Sequence, residues 1–210
     1  MREGTWKGSP INPIVSDASV AFETPPQTDL WQRTYYGFRV ANAPAYLWTE
    51  RTNFSFTAKC TFAYSTLFDQ CGVVLYLDDE NWFKASIEFE SNDFSRLGSV
   101  VTNLGHSDWA TTDIPTTNAY WYRLSRRGPD FLIEGSDDGE HFSQMRVFHL
   151  HRLGETTTEL GRQVPVDIAC EEVQVGVYAC SPTDGTFHAE FSDIQFEASH
   201  WQAHGTGPIP

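Results

Sequence analysis

The stretch Phe54-Ser55-Phe56-Thr57-Ala58-Lys59-Cys60-Thr61-Phe62 alternates apolar and polar residues along its whole length. Successive side chains of a β-strand point to opposite faces, so this pattern predicts a half-buried strand with Phe54, Phe56, Ala58, Cys60 and Phe62 inside. Comparable strand-like runs cover residues 71–77, 82–90, 97–103, 121–126, 131–135, 142–150, 173–180 and 187–196. Turn-forming clusters separate several of them: Asp78-Asp79-Glu80-Asn81, Arg127-Gly128-Pro129-Asp130 and Asp137-Asp138-Gly139-Glu140. Asp-Gly in the last of these supports the positive φ of a tight hairpin turn. No segment carries helical periodicity, and only residues 149–160 tolerate a helix, with Leu150, Leu153 and Leu160 scattered rather than striped.

Strands at this spacing without intervening helices exclude a parallel α/β sheet and predict an all-β sandwich of two antiparallel sheets. All-β domains of this size are commonly undivided, so residues 1–210 read as one domain. Its core runs from about 34 to 196, and the Pro25-Pro26 and Gly205–Pro210 regions read as irregular arms.

A formal net charge of −14 repels phosphate backbones and anionic lipid, which argues against nucleic acid and membrane surfaces as partners. No run approaches the ~18 apolar residues of a membrane span, and residues 1–7 lack the apolar segment of a signal peptide. Cys60, Cys71, Cys170 and Cys180 form no C-x-x-C pair and lie in apolar stretches, so reduced, packed thiols are expected. Cys60–Cys180 or Cys71–Cys170 bridges remain the alternative. These features together point to the cytosol. No cofactor or metal is expected: His149 and His151 alternate along a strand but lack a third ligand nearby, and G-x-S-x-G, phosphate-loop and H-E-x-x-H motifs are absent.

One strand carries an uncommon polar face. Within residues 82–90, Phe83, Ala85, Ile87 and Phe89 form a core set, while Trp82, Lys84, Ser86, Glu88 and Glu90 share the other side. A solvent-facing outer surface explains such a pattern by itself. Asp69-Gln70 precedes the neighbouring strand, Ser107-Asp108-Trp109 follows the next, and Trp121 and Arg123 share a face further on. Aromatic faces with charged groups between them suit a sugar or another polar small molecule.

These residues also resemble a known family. Asp69-Gln70-Cys71-Gly72-Val73-Val74, Asn81-Trp82-Phe83-Lys84, Ile87-Glu88, Ser99-Val100-Val101-Thr102, Ser107-Asp108-Trp109, Trp121-Tyr122-Arg123 with Arg126, Asp138-Gly139 before Phe142, and Gly176-Val177-Tyr178-Ala179-Cys180-Ser181-Pro182 follow in order the pattern of small concanavalin-A-like domains of unassigned activity, a family that includes the fungal regulation-of-enolase protein. The resemblance implies a jelly-roll sandwich of about a dozen strands. It also implies a concave sheet lined by Asp69, Trp82, Lys84, Glu88, Ser107, Asp108, Trp109 and Arg123. It brings no catalytic assignment. Glycosidases of this fold use E-x-D-x-x-E, and Lys84 stands where the first carboxylate would be. The expected function is non-catalytic binding of a carbohydrate, of another small polar or anionic ligand, or of a metabolic enzyme such as enolase. The alternative is a glycoside hydrolase or lyase using Glu88 with Lys84 or Asp108.

Overall fold

The computed structural model describes residues 2–157 and 170–201. Among them are sixteen strands. In chain order these are β1 (Thr5–Lys7), β2 (Ile11–Val15), β3 (Val20–Glu23), β4 (Leu30–Gln32), β5 (Arg39–Ala41), β6 (Ala45–Glu50), β7 (Ser55–Phe62) and β8 (Gln70–Asp78). They continue with β9 (Asn81–Phe89), β10 (Phe94–Asn103), β11 (His106–Pro115), β12 (Ala119–Arg127), β13 (Asp130–Ser136), β14 (Ser143–His149), β15 (Val173–Cys180) and β16 (His188–Glu197). Two seven-stranded antiparallel sheets hold most of them, in the orders β1-β6-β15-β8-β9-β10-β11 and β14-β13-β12-β7-β16-β3-β2. This is the antiparallel two-sheet sandwich that the alternating pattern predicts, in the jelly-roll form that the family resemblance implies.

The core lies where the period-2 pattern puts it. Phe56, Ala58 and Cys60 of β7 meet Val73 and Leu75 of β8 and Phe83, Ala85 and Ile87 of β9, all fully or almost fully buried. Phe89, at the end of β9, is only partly buried. Cys60 and Cys71 face this core, whereas Cys180 belongs to a second cluster on the other side of its sheet. None of the four cysteines is joined in a disulfide.

The N-terminal region departs from the expected irregular arm. β1 pairs with β6 and β3 with β16, and Trp6 packs edge-on against Phe22 at 5.3 Å. Short strands of three to five residues carry too few alternations to be recognised one by one, and the sheet supplies the missing partners. Strand β11 is also longer than its polar-aromatic start suggested, because it lies at a sheet edge and is mostly exposed. Of the helix-tolerant stretch, His151–Leu153 forms a single 3-10 turn; residues 158–160 and the Gly205–Pro210 arm lie outside the described residues. Among the described residues no helix is long and apolar enough to cross a membrane.

Candidate functional site

Strands β8, β9 and β10 align their outward side chains in rows across the sheet. Gln70, Glu88 and Arg96 form one row, Gly72, Ser86 and Gly98 the next, and Val74, Lys84 and Val100 a third. Gly72 and Gly98 flank Ser86, so the middle row forms a low floor. Tyr178 of β15 pairs with Gly72 and reaches across it to donate a hydrogen bond to Ser86 Oγ at 2.8 Å. A Cβ on Gly98 would come within 3.1 Å of the Trp109 indole nitrogen, so the glycine leaves room for that ring.

Strands β4 and β5 form a two-stranded hairpin that packs on this outer face. Leu30 and Trp31 bury Trp82, Val74, Val100 and Tyr178 beneath them in a small second core. Gln32 N–H donates to Ser107 Oγ (2.9 Å), Ser107 bonds Thr102 Oγ1 (2.8 Å), and Arg33 reaches the Gly105 carbonyl and Glu80, each at 2.7 Å. The loop between the two strands holds Arg33 and Tyr35 at positive φ, uncommon for residues other than glycine. It projects Tyr36 and Phe38, stacked at 5.6 Å, with Tyr36 edge-on to Trp31 at 5.4 Å.

Between the hairpin and Trp109 lies a cleft of about 440 Å³. Trp31, Tyr36 and Phe38 line one side and Trp109 contributes from β11, while the polar lining comes from Asp29, Gln70, Lys84, Ser86, Glu88, Glu90 and Arg96. The polar groups form a connected network. Lys84 Nζ donates to Asp29 Oδ1 and to Gln70 Oε1, both at 2.9 Å. An ammonium has only donors, so this contact fixes the Gln70 amide with its oxygen toward Lys84. Its nitrogen is thereby directed at Glu88, where it donates to Oε2 at 2.8 Å. Arg96 pairs with Glu90 at 3.0 Å and lies over the Trp109 ring at 5.8 Å.

Burial sets the charge states. Desolvation alone would lower the Lys84 ammonium, but the neighbouring Asp29, with Cys180 and Glu88, outweighs that effect and holds the ammonium above its ordinary value. Glu88 is pushed up to about 7 by burial, against the opposing pull of Lys84. A carboxyl that titrates near neutrality inside a cleft marks a place where ligand chemistry concentrates. Among the described residues no group of three or more His, Cys, Asp or Glu side chains is placed to hold a metal ion.

Of the eight residues expected at the site, Lys84, Glu88 and Trp109 line the cleft. The other five do not. Trp82 is fully buried under the hairpin. Asp69 is buried and ties the preceding loop, accepting from the backbone N–H groups of Ser65 and Thr66, both at 2.8 Å. Ser107 anchors the hairpin. Asp108 neighbours Trp109 in sequence and therefore points to the opposite face of β11, where it pairs with Arg146 of the other sheet at 3.1 Å. Arg123 lies on β12 in that second sheet, paired with Glu134 at 2.8 Å and set over the Phe142 ring. Asp29 and the aromatics Trp31, Tyr36 and Phe38 also line the cleft without being among the residues expected there. Their signal was the density of rings in Trp31, Tyr35, Tyr36 and Phe38, most of them in a loop and thus without periodicity.

Comparison with known proteins agrees with this architecture. The chain is 32% identical over 202 residues to "Regulation of enolase protein 1" of Saccharomyces cerevisiae, covering 94% of this chain and 91% of that protein. The crystal structure of a functionally unknown S. cerevisiae protein superposes with a TM-score of 0.79 at 26% identity, over 95% of this chain and 98% of that one. Two more distant structures share the fold. The GH43 protein BlXynB of Bacillus licheniformis gives a TM-score of 0.62 at 16% identity, over 86% of this chain and 33% of that one. The alginate lyase of Klebsiella pneumoniae gives 0.56 at 9%, over 92% and 86%. Residues 6–199 match the family described as protein of unknown function DUF1349, and the chain belongs to that family.

Proposed function

We propose that the protein is a non-catalytic, cytosolic carbohydrate-binding domain whose ligand lies in the cleft between the β4–β5 hairpin and Trp109. One observation carries this reading: exposed aromatic rings and a polar floor of fixed donors and acceptors line the same cleft. Sugar rings present apolar C–H faces to aromatic groups and hydroxyls to charged or amide groups, and both kinds of surface are present here. Gln70, held from behind by Lys84, and Ser86, held by Tyr178, are oriented before any ligand arrives, which lowers the cost of binding.

Binding rather than turnover is supported by the engagement of the charged groups. Lys84 is committed to Asp29 and Gln70, and Asp108 points to the other sheet, so neither is free to act with Glu88. Glu90, a further carboxylate in the cleft, is engaged by Arg96 at 3.0 Å. The similarity to a yeast protein named for regulation of enolase supports contact with a metabolic enzyme as a further part of the role. Size-exclusion of the protein with purified enolase, with and without a bound sugar, tests that part.

A thermal-shift screen against mono- and disaccharides tests the ligand reading. A ligand at a hundred times its Kd stabilises by about 2.7 kcal/mol, which at roughly 2–4 °C per kcal/mol in a domain of this size raises Tm by roughly 5–11 °C. The same shift in Trp109→Ala places the ligand elsewhere. Turnover of a chromogenic glycoside by the wild type overturns the non-catalytic reading.

A further inference from the structure

Resting on the carbohydrate reading, we propose that the cleft takes an uncharged saccharide of one or two rings and excludes phosphorylated and carboxylated sugars. The volume, about 440 Å³, lies near the small end of the range of roughly 300–1,000 Å³ for small-molecule sites. The charges decide the class. Two cations line the cleft, and each is already neutralised from within the protein: Lys84 by Asp29 at 2.9 Å, and Arg96 by Glu90 at 3.0 Å with Asp113 at 3.9 Å. Lys84 is buried and its donors point at Asp29 and Gln70, so an incoming phosphate or carboxylate would have to break a buried pair to reach it.

Arg96 is the more accessible cation, one third exposed, but the carboxylates of Glu90 and Asp113 compete for its guanidinium. Asp29, Glu88 and Glu90 together outnumber Lys84 and Arg96 in the lining. With Glu88 protonated the five groups sum to zero; with it ionised they sum to one negative charge. In neither state is there an excess of positive charge for an anion, and the net charge of −14 over the whole chain opposes its approach. A neutral sugar meets none of these penalties. It finds Glu88, Gln70 and Ser86 as hydrogen-bonding partners under the aromatic walls.

Isothermal titration of the wild-type protein decides the matter. Neutral mono- and disaccharides are titrated first, and then each of them alongside its 6-phosphate and its uronic acid, at pH 6 and pH 8. The expected result is binding of at least one neutral sugar, with the anionic counterparts at least tenfold weaker and the gap wider at pH 8. Glu90→Gln, which frees Arg96, narrows the gap. An anionic counterpart that binds as tightly as the neutral sugar, or more tightly, overturns the proposed ligand class and leaves the carbohydrate reading standing. Failure of every saccharide, neutral and anionic, overturns both.

Discussion

Lys84 Nζ lies 2.9 Å from Asp29 Oδ1, joining the centre of one sheet to the segment that leads into the hairpin above it. Asp29 also accepts the Leu30 N–H at 2.7 Å, so a single carboxylate sets both the start of β4 and the position of the cation. Lys84 is 5% exposed and Asp29 19%. Replacing Lys84 with Met leaves a poorly solvated carboxylate without its counterion and is expected to cost about 3–5 kcal/mol. The double variant Lys84→Met/Asp29→Asn recovers a large part of that loss. Urea denaturation of the single and double variants measures both; a loss under about 1 kcal/mol for Lys84→Met would place the pair in the solvent-screened class instead.

Trp82 and Trp109 divide stability from binding. Trp82 is fully buried under the hairpin and Trp109 is 36% exposed in the cleft. Trp82→Ala is expected to destabilise by about 3–5 kcal/mol, as for other buried aromatic truncations. Trp109→Ala is expected to change stability by under about 1 kcal/mol while abolishing sugar binding. Melting curves and titrations on the two variants check the contrast, and an equal loss of stability in both would contradict it.

Glu88 makes stability depend on pH with a defined sign. Its carboxyl titrates at about 7 when folded, against an ordinary 4.5, so between those values the folded state binds the extra proton. Stability therefore falls as pH rises through this window, because ν_U − ν_N is negative there. At about 1.4 kcal/mol per unit, Glu88→Gln is expected to gain about 2–3 kcal/mol over the wild type between pH 5 and pH 8. Gln can still accept from Gln70. Denaturant titrations at the two pH values read the difference, and a gap independent of pH would show that Glu88 is ionised throughout.

The two-sheet architecture and the inward face of β9 were readable because long alternating runs fix which residues share a face. The same alternation puts Lys84 and Glu88 together on the outward face of β9. Asp108, expected beside Trp109 in the site, has to face the other way on a strand because the two are adjacent in sequence. Arg123 illustrates a different limit, since alternation gives the face of a strand but not the sheet it joins. Trp82 shares its face with Lys84, yet a hairpin more than forty residues earlier covers it, and no pattern local to β9 announces such a cover. Asp29 lies in a stretch with too few alternations to read, so the counterion of Lys84 emerged only from the tertiary structure.

The seven tryptophans provide the most direct test of a sugar in the cleft. Each indole N–H gives its own signal in a ¹H–¹⁵N correlation spectrum, and Trp31 and Trp109 line the cleft while Trp82 is buried beneath the hairpin and Trp121 sits on the opposite sheet, donating to Asp193 at 3.3 Å. Titration with a neutral disaccharide is predicted to move the Trp109 and Trp31 signals in a saturable way and leave Trp121 unchanged. Movement of Trp121 with Trp109 still would put the binding surface on the wrong sheet, and seven unmoved indoles across a panel of neutral sugars would contradict carbohydrate binding in this cleft.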